Sequence, residues 1–547
     1  MTEVNNKFDY IIVGGGSAGA ALAARLSENP ALTVLLLEAG PKDSNPLIHI
    51  PFGLSLLSRF ESISWGYHTA EQKALYDREL FWPRGKTLGG SSSVNAMCYI
   101  RGQKEDYDQW VEQGAVGWGF DDVLPYFKRS ENFYLGENEY HGVGGPLQVE
   151  PLKHTSVLTD AFVHSAHSEN LPIVDDFNQE NREGLGYYHV TQINGQRCST
   201  AKGYLAQARH RRNLTVLHSM AAEKVLLKEG RAIGVQVRNK GRVAFYMANC
   251  EVLLCGGAIN SPQLLMLSGI GPRAELEDKG IFVQHDLPGV GKNLQDHLDA
   301  IVQYRCKARE GYAIALTALP RYIKAAYDYL FKRSGIFSSN IAEAGGFIRS
   351  SLATYGPDIQ FHFLPAILED HGRKFAFGYG FGLHVCCLYP KSRGSITLQS
   401  NHPGDHPRID PRYLSEPEDQ QVMIEGIKMA RKLLSSPGFE SFEGTEVYPG
   451  EQVESDDALL EFLKERAETI YHPVGTCKIG SDSDPMAVVD NQLKVRGVKG
   501  LRVVDASVMP TLIGGNTNAP TIMIAERAAD FIKAEHEGLK VPVTSPA

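Results

Sequence analysis

The chain has 547 residues, 43% of them hydrophobic and 22% charged, the profile of a soluble globular protein with more material than one hydrophobic core usually holds. Two cores built from discontinuous segments are therefore expected, with a ligand cleft between them. The formal net charge of -9 is gathered into no run of like charges, and eight scattered cysteines show neither a CxxC pair nor metal-ligand spacing, so composition offers no case for nucleic acid, a metal or a disulfide framework and fits a reducing cytoplasm.

The first apolar stretch, Tyr10 to Leu26, lacks a preceding positive cluster and is broken by Gly14, Gly15, Gly16 and Gly19, which argues against a signal peptide or anchor. It reads instead as strand (Phe8–Val13), glycine turn, then helix from Ala20. Gly14 permits the turn, Gly16 lets the backbone approach a pyrophosphate, and Gly19 lets the helix sit against the strand. A second strand, Thr33–Leu37, ends at Glu38, 19 residues after Gly19, which suits an acceptor for ribose hydroxyls. A carboxylate there disfavours the extra phosphate of NADP but does not separate NAD from FAD. The bland alternative is a structural glycine turn with Glu38 solvated at a strand end.

Phe81–Arg84 then leads into a glycine- and serine-rich segment, Gly85–Asn95, whose bare amides and slim walls suit close approach to a flat ring and phosphates. Arg209, His210, Arg211 and Arg212 read as a solvated turn before a strand. The strand Glu251–Cys255 enters Gly257–Gly271, which reads as glycine turn, helix with Pro262 in its first turn and glycine stop, a packing unit against the sheet. Leu287–His297 follows, in which His297 reads as a structural hydrogen-bonding residue rather than a base. Phe361, His362, Phe363 and Leu364 alternate like a strand lining a cleft, and Ile341–Phe347 suits a wall, although core packing explains both equally. The tail carries Glu468–Cys477, then Leu501–Ser507 with a short strand ending at Asp505, then Gly514–Thr521.

Taken together, Gly14–Gly19, Gly85–Asn95, Gly257–Gly271, Leu287–His297 and the tail segments resemble the glucose–methanol–choline (GMC) oxidoreductases over nearly the whole chain. The resemblance implies an α/β fold: a Rossmann-like FAD-binding domain from residues 1–155, 206–300 and 461–547, and a discontinuous α+β substrate domain, an antiparallel sheet flanked by helices, from 156–205 and 301–460. It also implies bound FAD. Along the cofactor it places Gly14, Gly16, Ser17, Ala18, Gly19, Glu38 and Ala39 of the first module. From the second come Trp65, Arg84, Gly85, Leu88, Gly89, Ser92, Val94, Asn95, Ala96 and Met97, with Val225 beyond them and Asp505, Ala506, Asn516 and Thr517 from the tail. Relatives that attach the flavin covalently carry a histidine where this chain has Val94, so the FAD is expected to be non-covalent.

The same pattern makes His472 and Asn516, 44 residues apart, the catalytic pair. An alcohol yields hydride only as its hydroxyl proton leaves. An imidazole, which titrates near neutrality, suits the proton acceptor, and a neutral carboxamide suits the developing alkoxide, with the carbon-bound hydrogen aimed at flavin N5. Within the family the stretches Asn45–Pro51, Phe81–Asn95, Phe361–Pro365 and Glu468–Thr476 are similar to bacterial dehydrogenases of medium-chain aliphatic alcohols. That similarity implies a primary alcohol oxidised to the aldehyde, with electrons passed to a quinone or another non-oxygen acceptor. The alternatives are choline dehydrogenase, an oxygen-using alcohol oxidase and a cyanohydrin lyase on the same scaffold.

Quinone access implies a cytoplasmic protein peripheral on the inner membrane. Tyr322, Ile323, Ala326, Tyr329, Leu330 and Phe331, flanked by Lys324, Lys332 and Arg333, suit an amphipathic docking face. A helix facing the core is the plainer reading of the same residues.

Overall fold

The computed structural model describes residues 6–538, so residues 1–5 and 539–547 of the expected outer segments lie outside it. One seven-stranded sheet is organised around Lys7–Val13. Val34–Leu37 and then Leu214–Leu217 pair parallel on one side, and Arg242–Leu254 pairs parallel on the other, itself taking Leu501–Val503 in parallel. Arg231–Asn239 and Ala221–Lys228 continue the sheet antiparallel. All four residues of Val34–Leu37 are buried, as expected of a parallel strand covered on both faces.

Helix Ser17–Leu26 follows the first strand and packs on the carboxy-terminal helix Asn518–His536. The contact is fixed by the buried Glu526 carboxylate, which accepts from Arg25 Nε and Arg129 Nε, each at 2.8 Å, and from Tyr204 Oη at 2.6 Å. Arg211 is not a solvated turn residue. It binds Ala24 O and Ser27 Oγ, carbonyl and hydroxyl groups at the end of the first helix, where a cation meets the negative end of the helix dipole.

Helix Gly257–Leu267 begins earlier than its pattern suggests, so Pro262 lies inside it rather than in its first turn. Proline donates no hydrogen bond to the carbonyl four residues back. That carbonyl, Ala258 O, accepts instead from Thr476 Oγ1 at 2.7 Å, tying the helix to the tail segment.

The second seven-stranded sheet is antiparallel, in the order Gly444–Tyr448, Leu298–Cys306, Gly380–Cys387, Ile359–Leu364, Ala344–Ile348 and Gly184–Tyr187. Helices Val157–His164 and Pro417–Leu434 back it. Strand alternation divides Ile359–Leu364 between two environments. Phe361 and Phe363 are fully buried, with Phe363 stacked on Phe162 at 4.8 Å, whereas His362 and Leu364 face a cavity.

Glu468–Thr469, within the segment expected on the cofactor side, pairs with Leu298–Asp299 of the second sheet. The chain then turns back, and His472 is left at the seam between the two sheets. All eight cysteines are free. No helix of the described residues is long and apolar enough to cross a membrane.

Candidate active site

A cavity of about 1240 Å³ runs along the seam. That exceeds the roughly 300–1,000 Å³ usual for one small ligand, so it has room for a cofactor and a substrate together. Its inner wall includes Gly14, Gly16, Ser17, Ala18, Glu38 and Ala39, then Trp65, Arg84, Gly85, Val94, Asn95, Ala96 and Met97, and finally Asp505, Ala506, Asn516 and Thr517.

Five of the residues expected along the cofactor stand behind this wall. Gly19 is a packing position, where a Cβ would lie 1.9 Å from Gly14 O. Leu88 packs against Gly15, Gly89 N donates to Gly15 O at 2.8 Å, and Ser92 Oγ donates to Gly89 O at 2.6 Å, so these three brace one glycine loop against the other. Val225 is buried within the antiparallel part of the first sheet, and its amide donates to Ser268 Oγ at 2.8 Å. Met220, Ala221 and Ala222, at and just before the start of the same strand, line the cavity instead.

The two glycine loops touch. A Cβ on Gly90 would lie 2.7 Å from Gly16 Cα, so only glycine allows both backbones to reach the cavity side by side. Arg197, which the sequence pattern does not mark, pins the second loop from behind. Its buried guanidinium donates to Ile48 O (2.8 Å), Ser92 O (3.2 Å), and both Asn95 O (2.6 Å) and Asn95 Oδ1 (2.7 Å).

Glu38 is not solvated. Its carboxylate accepts from Gly15 N at 2.8 Å and Gly40 N at 2.7 Å, and burial pushes its pKa up to about 7 against the pull of those amides. Asp505 accepts from Ser261 Oγ (2.6 Å), Gly257 N (2.9 Å) and Ser507 N (2.8 Å), which fixes the neighbouring Ala506 at the cavity wall.

The donor set fits a dinucleotide. Helices Ser17–Leu26 and Asn518–His536 both present N-termini without a side-chain cap to the cavity, and Ser17 Oγ donates to Asn518 Oδ1 at 2.7 Å, linking the two ends. Uncapped helix N-termini favour phosphate. Arg84, also at the wall, has Nε and Nη2 buried with no hydrogen-bond acceptor, a cation left for a ligand to satisfy.

At the far end of this wall stand His472 and Asn516. Tyr471, at φ 74° and tied by its amide to Thr469 Oγ1 (2.8 Å), makes the sharp turn that aims His472 inward. Asp296 Oδ1 accepts from His472 N at 2.7 Å, and its other oxygen accepts from Thr469 Oγ1 (2.6 Å) and Tyr413 Oη. Asn516 Nδ2 lies 3.2 Å from His472 Nε2. Gln360 Nε2 donates to Asn516 Oδ1 at 3.1 Å.

Behind His472 lies His297, as a structural partner. Its Nε2 is 3.0 Å from Leu388 O, an atom that only accepts, so Nε2 carries the proton. In the neutral ring Nδ1 is then a lone pair. It faces His472 Nδ1 at 2.9 Å and accepts its proton-bearing nitrogen, which leaves His472 Nε2 as a lone pair directed at the cavity.

Burial drives the His472 pKa well below the usual imidazole value, with the neighbouring His297, His362 and Arg84 acting in the same direction. His362, which stands beside Asn516, is likewise lowered by burial to about 3, against a small opposing pull from the Asn516 carboxamide. Gln360 was marked by no sequence motif, and His362 only by the strand alternation of residues 361–364.

The outer half of the cavity is lined by Phe52, Leu57, Tyr312, Phe337, Ile341 and Leu364. Asp299, the carboxylate two residues after His297, is turned away and held by His384 Nδ1. Among the described residues Asp370, His371 and Glu468 come together near the mouth, where His371 binds Glu468 at 2.9 Å and also Tyr471 Oη.

Two family models described as GMC oxidoreductase match the chain, at residues 8–299 and 390–525. An alcohol dehydrogenase [acceptor] of Pseudomonas putida is 50% identical over 528 residues, 96% of this chain and 95% of that one. An oxygen-dependent choline dehydrogenase of Photobacterium profundum is 43% identical over 537 residues, 97% of this chain and 93% of the relative. Among solved structures, a variant of Aspergillus oryzae RIB40 formate oxidase, determined to follow modification of its FAD, superposes with a TM-score of 0.91 at 30% identity, covering 98% of this chain and 99% of the other.

Proposed function

Because the chain belongs to the GMC oxidoreductase family, we propose that it oxidises a primary, medium-chain aliphatic alcohol to the aldehyde with FAD as the hydride acceptor. The observation that carries this reading is the meeting of His472 Nε2 and Asn516 Nδ2, 3.2 Å apart, at the inner end of an apolar cavity.

FAD would lie along the two glycine loops, with Glu38 toward its ribose, the two helix N-termini toward its phosphates, Asp505 and Ala506 beside its phosphate and ribityl chain, and Asn95 and Met97 along its pyrophosphate or its ring. Bound there, it supplies N5 as the hydride acceptor. Val94 stands at the wall with no nucleophilic atom, so the cofactor is held without a covalent bond.

His472 Nε2 takes the hydroxyl proton as the carbon–hydrogen bond breaks. Asn516 Nδ2 donates to the same oxygen and steadies its developing charge. The imidazolium formed on His472 is stabilised by its Nδ1–H bond to His297, which offsets part of the cost of charging a buried ring. The surrounding apolar walls keep water away from these groups.

The same walls support an unbranched alkyl chain as the substrate tail. For electrons, the name of the Pseudomonas putida relative supports an acceptor other than oxygen, and a quinone suits an apolar cavity. Choline is the second reading, supported by the Photobacterium relative and by the aromatic pair Phe52 and Tyr312, whose ring centroids are 5.3 Å apart. Against it, Asp299 is already paired with His384 and is not offered to a quaternary ammonium.

Anaerobic mixing of the holoenzyme with octanol or choline, followed by oxygen or a soluble quinone, tests the reading. Octanol is expected to bleach the flavin band and quinone to restore it faster than oxygen does. Faster bleaching by choline would transfer the assignment to the second reading, fast recovery with oxygen would make the enzyme an oxidase, and no bleaching by any alcohol would leave a lyase on this scaffold.

A further inference from the structure

Asn516 is reached through a pair of glycines, Gly514 and Gly515, the freest backbone that could precede a side chain assigned to catalysis. Both have to be glycine. A Cβ on Gly514 would lie 2.0 Å from Tyr389 Oη, and one on Gly515 would lie 2.7 Å from Arg101 O. Space excludes any residue that would stiffen this link, so the stiffness has to come from outside it.

Two buried side chains of opposite charge supply it. Asp106, in the first turn of helix Lys104–Glu112, accepts from Gly514 N through Oδ2 at 2.8 Å, and the same oxygen accepts from Gln103 N at 2.9 Å. Arg182, two residues before strand Gly184–Tyr187 of the second sheet, donates from Nη1 to Gly514 O at 2.8 Å and from Nη2 to Arg101 O at 3.3 Å. The guanidinium is itself seated on the Phe347 ring, 3.8 Å from its centroid.

The amide and the carbonyl of Gly514 belong to different peptide planes, so the two bonds fix both planes that meet there. A flip of the first would turn the Ile513 carbonyl toward the Asp106 carboxylate. A flip of the second would turn the Gly515 N–H toward the Arg182 guanidinium, and repulsion between like charges opposes both. On the other side of Asn516, helix Asn518–His536 begins two residues later, and Ser17 Oγ donates to Asn518 Oδ1 at 2.7 Å. Asn516 is suspended between two fixed points.

We infer that Arg182 and Asp106 are positioning residues: by holding Gly514 from both sides they set the place of Asn516 relative to His472, whose Nε2 lies 3.2 Å from Asn516 Nδ2. Both stand behind the cavity wall, so neither has a substrate contact to lose, and their effect falls on the rate of the chemical step. Burying a cation and a carboxylate contributes little net stability, and fixing one geometry is what this pair does. The effect on rate rests on the reading that Asn516 serves the substrate oxygen; the clamp itself does not.

The test compares holoenzymes of equal FAD content. Arg182→Met, which keeps the volume and removes both donors, is expected to slow anaerobic bleaching of the flavin by octanol roughly 10- to 100-fold, the range for a hydrogen bond to a charged group, with the half-saturating octanol concentration nearly unchanged. Arg182→Lys, which can still donate to Gly514 O but lacks the planar fork, is expected to recover part of the loss. Added to Asn516→Ala, Arg182→Met is expected to cost nothing further, because the group it positions is gone. A wild-type rate in Arg182→Met, or its full loss repeated on top of Asn516→Ala, overturns the inference. If Arg182→Met does not retain FAD, the same cycle is run with Arg182→Lys, whose smaller loss must likewise vanish beside Asn516→Ala. A crystal structure of the Arg182 variant reads the clamp without turnover: Asn516 Nδ2 is expected to have shifted from His472 Nε2, and an unchanged 3.2 Å overturns the inference whatever octanol does. A shifted Asn516 together with wild-type bleaching in Asn516→Ala would leave the clamp standing and sink the catalytic reading of Asn516 instead.

Discussion

Gln360 Nε2 donates to Asn516 Oδ1 at 3.1 Å, which engages the oxygen of the Asn516 carboxamide while its nitrogen faces His472. With its oxygen held from behind, Asn516 presents its NH₂ group to the place where a substrate oxygen would carry charge. Gln360→Met keeps the volume and removes the tether. About a tenfold loss of kcat is expected, from one hydrogen bond of ~1.5 kcal/mol, with KM nearly unchanged. Steady-state kinetics on octanol measures it, and an unchanged kcat would show that Asn516 orients without this partner.

His297 is a positioning residue for His472. Removing it takes away the acceptor for the His472 Nδ1 proton, so the ring is free to carry its proton on Nε2 and lose its basic lone pair there. His297→Ala is expected to lower kcat roughly 10- to 100-fold, the range for a hydrogen bond to a charged group, while flavin content is retained. His297→Asn, whose carbonyl oxygen can accept the same proton, is expected to recover part of the loss. If both variants lose activity equally along with their flavin, the role is structural only.

The site was legible in the sequence where a function is written as local backbone. The strand–glycine–helix turn, the glycine-rich second loop and Asp505 at a strand end each need only a few consecutive residues, and each lies at the cavity wall. Arg197 and Gln360 were not legible, and His362 only as one of an alternating pair, because what they do depends on partners far along the chain. Gln360 meets Asn516 across 156 positions and Arg197 meets Asn95 across 102. Strand alternation predicts that one of Phe361 and His362 faces the cleft but not which, since that depends on the helices packed behind the sheet.

Val225 was displaced for a related reason, as the register of the antiparallel strands puts Met220–Ala222 at the wall instead. The helix at 319–332 turns Tyr322 and Tyr329 inward and leaves Ile323, Leu330 and Phe331 exposed, and periodicity alone cannot say that one of its two apolar faces stays uncovered.

The pH dependence follows from the buried imidazoles. His472 is held well below the usual value by burial, with His297, His362 and Arg84 adding to the effect, so the free enzyme keeps its base neutral as pH falls through 6.5. Asp296, which binds the His472 backbone, is raised by burial to about 6 and is the next group to titrate nearby. The profile of kcat/KM is therefore expected to stay level from pH 8 to pH 6.5 and to fall only at more acid pH. A half-maximal point at or above pH 6.5 would show that the imidazole titrates normally.

Arg197 holds the second glycine loop through three separate carbonyl groups, those of Ile48, Ser92 and Asn95. Arg197→Met leaves those acceptors buried without donors, at roughly 1–3 kcal/mol each. The variant is expected to release FAD at least tenfold more readily than the wild type and to melt at lower temperature, while flavin that remains bound is still reduced by octanol. Flavin fluorescence during dialysis reads the release. Wild-type retention of FAD would show that the loop keeps its shape without the arginine.

The central claim is that His472 and Asn516 together activate an alcohol beside the flavin. Stopped-flow bleaching of the oxidised flavin band by octanol without oxygen isolates that step, in the wild-type protein and in His472→Ala and Asn516→Ala variants shown to carry equal FAD. The wild-type flavin is expected to bleach, with the rate falling roughly 10²–10⁴-fold without the base and roughly 10²–10³-fold without the carboxamide. Bleaching at the wild-type rate in both FAD-replete variants would contradict the account.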